Sequence, residues 1–236
     1  MAGPSPKERA DSLSVPWVDT VGFIRQLSHD LRNHLNAIEL QSAYISELEG
    51  DAKLKGEVSR LREMISGLTA VLQKVSSGLG EVKLNLISYR TCDFVEDLRK
   101  KIAQEFPKES PEISWDVKPG NVVLNIDPQL LQEAIVELFA NAFRHDGGKG
   151  ALAAEVKIDK NRFLFTLREP KIRFELSTEN WGREPLRKVS HGHYGLGLNR
   201  VRAILEAHGG EIHAQYEPKA SALVTALILP LSREKV

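Results

Sequence analysis

Several features that would restrict the function of this chain are scarce in its sequence or missing from it. Its 236 residues include one cysteine, Cys92, which excludes an internal disulfide and a metal site built from several cysteines. Its 32 basic residues balance its 32 acidic residues, so no overall field attracts nucleic acid or an anionic membrane. It has no apolar run of about eighteen residues, the length that spans a bilayer, and no signal-peptide core. We therefore expect a cytoplasmic protein without nucleic-acid or membrane partners.

The sequence divides into three predicted regions. Residues 1–16, rich in proline, serine and charge, predict a flexible tail. Residues 17–80 predict a helical hairpin that reverses at 49–51 and breaks at 76–80. Residues 81–236 alternate between strand-like and helical stretches, and a chain with 42% hydrophobic residues has enough material for a buried core.

Both predicted helices of the hairpin carry an apolar stripe. In the first helix the stripe recurs at spacings of three and four and consists of Ile24, Leu27, Leu31, Leu35 and Ile38. In the second helix a heptad pattern consists of Leu54, Val58, Leu61, Ile65, Leu68, Leu72, Val75 and Leu79. Two helices cannot cover both stripes, so we predict a homodimer whose two hairpins form a four-helix bundle. The alternative is a monomer whose hairpin packs on its own C-terminal domain.

A histidine with an acidic and an amide neighbour lies on the first helix. His29 and Asn33 lie one turn apart, so their side chains can reach the same reacting group. Asp30 can orient or deprotonate an imidazole that acts as a nucleophile near neutral pH. We exclude a zinc site at His29 and His34, because histidines five residues apart do not share the face that the metalloprotease pattern requires.

The third region predicts an α+β sandwich, with three helices on one face of a mixed sheet. The predicted strands are 82–87, 112–117, 121–126, 151–158, 162–169, 210–217 and 221–229, and the predicted helices are 91–106, 128–145 and 196–208. Asp159-Lys160-Asn161 predicts a hairpin turn. Residues 170–193 predict a long irregular segment, typical of a mobile loop that orders on binding.

Two of these helices carry candidate binding residues. One polar edge, with spacings of three and four, consists of Glu137, Asn141, Arg144 and His145. Backbone amides and the positive end of the next helix would face an anion such as phosphate at Gly195, Leu196 and Gly197. The later His208-Gly209-Gly210 is interpreted as a helix stop.

Three strings resemble the sensor histidine kinase family. Ser28-His29-Asp30-Leu31-Arg32-Asn33 resembles its H box, whose histidine accepts a phosphoryl group, although His34 stands where the family usually has proline. DPQLLQEAIVELFANAFRHDGG (127–148) resembles its N box, and HYGLGLNRVRAILEAHGGEI (193–212) resembles its G2 box. The resemblance implies a hairpin for dimerisation and histidine phosphotransfer over 17–80, followed by an ATPase-like domain of the histidine kinase and gyrase type over 81–236.

The resemblance also implies ATP and Mg²⁺ as cofactors. By this resemblance Asn141 is the Mg²⁺ ligand, Glu137 supports the site, and Arg144 and His145 face phosphate. The family's G1 box, Asp-x-Gly-x-Gly, is degenerate here. Glu169 stands in for the aspartate that reads the adenine amino group, but Pro170 and Lys171 replace a turn whose glycines allow close approach.

Three functions remain open at this point. In the first, a histidine kinase autophosphorylates His29 from ATP and passes the phosphoryl group to an aspartate of a response-regulator receiver domain, with Asp30 and Asn33 assisting. In the second, the chain is a dimeric histidine phosphotransferase whose degenerate kinase-like domain does not bind ATP. In the third, it is a regulator without phosphoryl transfer. The expected partners are a second copy and a receiver domain.

Overall fold

The computed structural model describes residues 17–48, 52–118, 120, 122–144, 150–174, 177–179, 181–183 and 196–231. The chain divides into two compact units, one that ends at Gly80 and one that begins at Glu81. The predicted tail over 1–16 and the predicted reversal at 49–51 lie outside the described residues.

The first unit is a hairpin of two long helices, α1 (Trp17–Leu48) and α2 (Ala52–Gly78). The predicted break at 76–80 begins too early, because α2 continues to Gly78. The N–H of Leu79 still donates to the Val75 carbonyl at 3.2 Å, as in a continuing helix. The Leu79 carbonyl accepts a hydrogen bond from Arg25 Nε of α1 at 3.1 Å. A carbonyl that the helix end leaves without a partner is thereby satisfied from the neighbouring helix.

The heptad seam of α2 is only partly buried within one chain. Its buried members are Val58, Ile65 and Leu79, and Leu35 of α1 is buried as well. Leu72 and Val75 are partly buried, whereas Leu54, Leu61 and Leu68 are 42%, 45% and 49% exposed. The hairpin therefore closes on one half of the seam and leaves an exposed row of leucines, which we call the exposed seam.

In its described part the second unit has three helices and seven strands. In chain order they are β1 (Ile87–Arg90), α3 (Thr91–Glu105), β2 (Ser114–Lys118), β3 (Val123–Ile126), α4 (Pro128–Arg144), β4 (Ala153–Asp159), β5 (Arg162–Pro170), α5 (Gly197–Ala207), β6 (Glu211–Glu217) and β7 (Ala222–Pro230). β1 shares only Ile87 with its predicted range, and every other element overlaps its predicted range over most of its length.

The strand predicted over 82–87 is wrong. Residues 81–86 have no regular secondary structure, and the strand begins only at Ile87. The backbone N–H of Asn85 donates to the Asp127 carboxylate at 2.9 Å, so it is not available to a strand ladder. β1 then pairs antiparallel with β3 as a separate two-stranded sheet, with Ile87 opposite Ile126.

The main sheet has five strands in the order β2-β4-β5-β7-β6. β2 is parallel to β4, whereas the other pairs are antiparallel, so the sheet is mixed as predicted. β4 and β5 form the predicted hairpin, with Asp159 opposite Arg162. Lys160 and Asn161 between them both have positive φ, 47° and 63°, as a type I′ two-residue turn requires.

The core lies between this sheet and the three helices. Along β5, Phe163, Phe165 and Leu167 are buried, while the residues between them are only partly buried. Phe163 contacts Phe94 of α3, with ring centroids 6.2 Å apart, and Phe165 contacts Phe139 of α4, also at 6.2 Å. The helices therefore cover one face of the sheet, and the predicted α+β sandwich is confirmed.

Candidate functional site

The first candidate site is the exposed surface of α1 around His29. The His29 side chain is 64% exposed, although the preceding Ser28 is buried. Nδ1 of His29 lies 3.4 Å from Asp30 Oδ1 and 3.4 Å from Asn33 Nδ2. The structure therefore brings together the three residues that the sequence predicts for this site.

A fourth residue, Gln26, belongs to the same group and was missed by the sequence analysis. Its Nε2 donates to Asp30 Oδ1 at 2.8 Å, so it contacts the oxygen that faces His29. The spacing of four residues on one helix was the available signal.

This arrangement leaves one imidazole nitrogen available for chemistry. When Nδ1 carries the proton and donates to Asp30, it does not accept a hydrogen bond from Asn33 Nδ2, and the Nε2 lone pair is the nucleophile. Within the part of the chain that the structure describes, Nε2 of His29 has no hydrogen-bond partner. An exposed neutral imidazole held in this way can attack an incoming electrophile.

The second candidate site is formed by α4 and the start of α5. Asn141 Nδ2 donates to Glu137 Oε1 at 3.2 Å, and Arg144 donates to Asn141 Oδ1 at 2.9 Å. The predicted polar edge is thus a connected chain of side chains. His145 lies outside the described residues.

Glu137 also lies against the first turn of α5. A Cβ at position 197 would overlap Glu137 Oε1, so a larger residue there would displace the Glu137 carboxylate. A carboxylate near a helix N-terminus is favoured by the helix dipole. The Leu196 side chain is buried and packs into the domain, so only its backbone is available to a ligand. Gly195 lies outside the described residues.

The third group lies at the end of β5, where the sequence predicts base recognition. The Glu169 carboxylate forms an ion pair with Lys171 Nζ, and the two side chains are only 13% and 8% exposed. The predicted acid, Glu169, is therefore present, but Lys171 neutralises its charge. From sequence, Lys171 was predicted only to replace part of a glycine-containing turn.

The segment predicted to be a mobile loop is held down in its described part. Arg202 of α5 donates from Nε to the Trp181 carbonyl at 2.8 Å, and Asn199 Nδ2 donates to the Gly182 carbonyl at 3.1 Å. The Phe174 ring lies 5.7 Å from that of Trp181. Polar side chains of α5 that are distant in sequence thus bind the backbone of this irregular segment, and its mobility stays a prediction.

Asp127 and His208 fix the helices that carry the second site. Asp127 Oδ1 accepts the N–H groups of Gln129 and Leu130, each at 3.1 Å, as an N-cap of α4. Burial alone would raise the pKa of Asp127, but the hydrogen bonds from the backbone N–H groups of Asn85, Leu130 and Gln129 hold it below its usual value. His208 Nε2 accepts the Asp127 N–H at 3.0 Å.

The second ring nitrogen of His208, Nδ1, contributes to the end of α5 at Ala207. Its Nδ1 lies 2.7 Å from the Ile204 carbonyl, to which it must donate because Nε2 is an acceptor. Gly209 follows with φ +69°, in the left-handed region that favours glycine. The structural interpretation of His208-Gly209-Gly210 agrees with this geometry.

Comparison with known proteins identifies the class of the second unit. Residues 126–233 match the family model of the histidine kinase-, DNA gyrase B-, and HSP90-like ATPases. The fold resembles the crystal structure of full-length ShkA in complex with AMPPNP, with a TM-score of 0.67, 20% sequence identity, and coverage of 91% of this chain and 47% of that one. It also resembles the Acinetobacter baumannii histidine kinase AdeS, with a TM-score of 0.52, 18% identity, and coverage of 87% and 98%.

Sequence similarity to histidine kinases also extends beyond the second unit. The chain is 24% identical to the Escherichia coli sensor histidine kinase CpxA, over 98% of this chain and 51% of the relative. It is 24% identical to the Pseudomonas aeruginosa alginate biosynthesis sensor protein KinB, over 85% and 35%, and 23% identical to the Klebsiella oxytoca sensor histidine kinase ZraS, over 89% and 46%. The chain is therefore similar to sensor histidine kinases over most of its length.

The chain spans about half or less of the curated relatives it matches. Among the helices in the described ranges, none has the length and apolar character needed to cross a membrane.

Proposed function

We propose that this chain is a histidine kinase of two-component signalling that autophosphorylates His29 from ATP. The observation that carries the proposal is the imidazole of His29, whose Nδ1 faces Asp30 and Asn33 and whose side chain is 64% exposed. Nε2 attacks the γ-phosphorus, the bond to the β,γ-bridging oxygen breaks, and ADP leaves with that electron pair. The phosphoryl group then passes to an aspartate carboxylate of a receiver domain.

The second unit supplies the nucleotide site in this proposal. Arg144 and the first turn of α5 would face the phosphates. Asn141 Oδ1 and the Glu137 carboxylate would hold Mg²⁺, a hard cation that prefers oxygen ligands and neutralises phosphate charge. Among the described residues, no three His, Cys, Asp or Glu side chains could together hold a metal ion. Water and phosphate would therefore complete the coordination.

We further propose that the chain is a homodimer. The exposed seam supports this, because three leucines at heptad spacing on one helix face remain 42%, 45% and 49% exposed in the single chain. Apolar positions that one hairpin leaves exposed are the ones that a second hairpin buries in a four-helix bundle. Cytoplasmic location stays a prediction from sequence.

The test is incubation of the full chain with γ-labelled ATP and Mg²⁺. We expect label on the wild type and none on His29→Gln, with an acid-labile linkage typical of a phosphoramidate. The matched control is His34→Gln, an exposed histidine of the same helix, which should keep the label. Label that survives His29→Gln would remove this residue as the acceptor.

The second candidate is a dimeric phosphotransferase that does not use ATP. The ion pair between Glu169 and Lys171 favours it, because the carboxylate expected to read the base already has a partner. In that case γ-labelled ATP leaves the protein unlabelled, whereas a phosphorylated receiver domain transfers its label to His29. Failure of both donors would contradict both candidates.

A further inference from the structure

We infer that Gln26 is a positioning residue for His29: it holds the Asp30 carboxylate against Nδ1, which keeps the proton on Nδ1 and the lone pair on Nε2. The inference rests on the proposed function, in which Nε2 receives the phosphoryl group. It concerns the state of the imidazole before any phosphoryl donor binds, so the unphosphorylated chain tests it directly.

Two neighbours compete for Nδ1 of His29. Asp30 Oδ1 and Asn33 Nδ2 each lie 3.4 Å from it. A carboxylate oxygen only accepts hydrogen bonds, so Asp30 favours the tautomer with the proton on Nδ1. An amide nitrogen only donates, so Asn33 Nδ2 favours the tautomer with the lone pair on Nδ1 and the proton on Nε2. The neighbour that prevails at Nδ1 therefore decides whether Nε2 is a nucleophile.

Helix geometry alone does not hold Asp30 beside His29. Consecutive residues diverge by about 100° around a helix, so their side chains do not face each other. Asn33 lies four residues after His29, a separation that brings side chains together. Without a further contact, the helix favours Asn33 over Asp30 as the neighbour of Nδ1.

Gln26 supplies the further contact. Its Nε2 donates to Asp30 Oδ1 at 2.8 Å, and this is the oxygen that lies nearest Nδ1 of His29. At 3.6 residues per turn, Gln26 lies about 40° from Asp30 and about 60° from His29, on the arc between them. A hydrogen bond from this position therefore draws the carboxylate toward His29. Oδ1 has two lone pairs, so it can accept from both donors at once.

The hairpin fixes the orientation of this part of α1. Arg25 donates from Nε to the Leu79 carbonyl of α2 at 3.1 Å, and Ser28 is buried. The Gln26 side chain is exposed, and that of His29 is 64% exposed. Replacing the Gln26 side chain therefore changes the contacts on the exposed face and leaves the anchoring of the helix intact.

The test measures the two neutral tautomers of His29 by nitrogen NMR of the full chain without nucleotide, with His29→Gln identifying its resonances. For the wild type we expect the form with the proton on Nδ1 to predominate. Gln26→Met removes the donor and keeps an unbranched side chain. The ratio of the Nδ1–H form to the Nε2–H form should then fall about twofold, as expected for one hydrogen bond between exposed helix residues four apart.

Two results would overturn the inference. One is a wild type in which the Nε2–H form predominates, and the other is an unchanged tautomer ratio in folded Gln26→Met. Gln26→Lys retains a donor at the same position, so its ratio should match the wild type. Loss of the Nδ1–H form in Gln26→Lys equal to that in Gln26→Met would contradict the role of the hydrogen bond.

Gln41→Met is the matched control, because Gln41 is an exposed glutamine of the same helix. It lies about 18 Å along the helix from His29, at 1.5 Å per residue, so its tautomer ratio should match the wild type. A fall equal to that in Gln26→Met would show that the effect does not depend on the contact with Asp30.

Autophosphorylation gives a second readout. Because only the Nε2 lone pair attacks, the initial rate of His29 labelling by γ-labelled ATP should follow the Nδ1–H fraction across the wild type and the variants. A slower rate in Gln26→Met with an unchanged tautomer ratio would contradict the assigned role. A wild type that takes up no label would contradict the proposed kinase, while the NMR ratios still decide the role of Gln26.

Discussion

The proposed dimer makes one quantitative prediction at the exposed seam. Leu61 lies in the middle of this row, with Leu54 and Leu68 one heptad to either side, and 45% of its surface is exposed in the single chain. In a symmetric two-fold dimer both copies of the residue lie in the same interface. Replacing Leu61 with alanine should therefore remove apolar contact from both copies in the interface. Alanine has high helix propensity, so the helix itself is not weakened.

The expected magnitude follows from the exposed fraction. Complete burial of a leucine contributes about 1.5–3 kcal/mol, so burying the remaining exposed part contributes about 1 kcal/mol per copy. Two copies give about 2 kcal/mol, which raises the dimer dissociation constant roughly 30-fold at about 1.4 kcal/mol per factor of ten.

Sedimentation equilibrium over a range of protein concentrations measures this constant. The control is Leu40→Ala, because Leu40 is 75% exposed on α1 and lies outside the predicted stripe. We expect the control to associate like the wild type and Leu61→Ala to dissociate at higher concentration. A monomeric wild type, or equal dissociation constants for the wild type and Leu61→Ala, would refute the reasoning.

Three further predictions concern the second unit. Asn141→Ala should abolish autophosphorylation while the dimer persists in sedimentation; full activity would remove Asn141 from the site. Gly197→Ala should weaken ATP binding in calorimetry, because the added methyl displaces the Glu137 carboxylate; unchanged affinity would show that this contact is not needed. The pKa of Asp127 is below its usual value of about 3.9, so its stabilisation is present above that pH and is lost as pH falls through the folded-state pKa. As pH falls below about 4, the free energy of unfolding of Asp127→Asn, measured with urea, should therefore fall less than that of the wild type. Parallel curves of unfolding free energy against pH would contradict this.

The regular helices and most strands were predictable because their signals are local. The spacing of apolar residues predicted helices that the structure places at Trp17–Leu48 and Ala52–Gly78, and the turn residues at 160 and 161 predicted the β4-β5 hairpin. His29 and Asn33 could be grouped from sequence, because residues four apart on a helix are neighbours, and Asp30 directly follows His29. Glu137, Asn141 and Arg144 were grouped for the same reason.

What the sequence could not show depends on contacts between distant residues. The chain from 81 to 86 is irregular because Asn85 binds Asp127, which lies 42 residues further along the chain. The Trp181 carbonyl accepts a hydrogen bond from Arg202, 21 residues away, a contact that sequence spacing does not reveal. Lys171 lies two residues from Glu169, yet only the end of a strand whose alternate side chains enter the core brings both charges into a largely covered pair.

The sequence by itself determined which residues are helical, where the heptad leucines lie and which polar residues share a helix face, because these follow from the repeat of the backbone. The tertiary structure decided which half of the heptad seam is buried within the hairpin, what neutralises Glu169 and which side chains hold the loop. Those outcomes depend on burial and pairing between segments that meet only when the chain is folded.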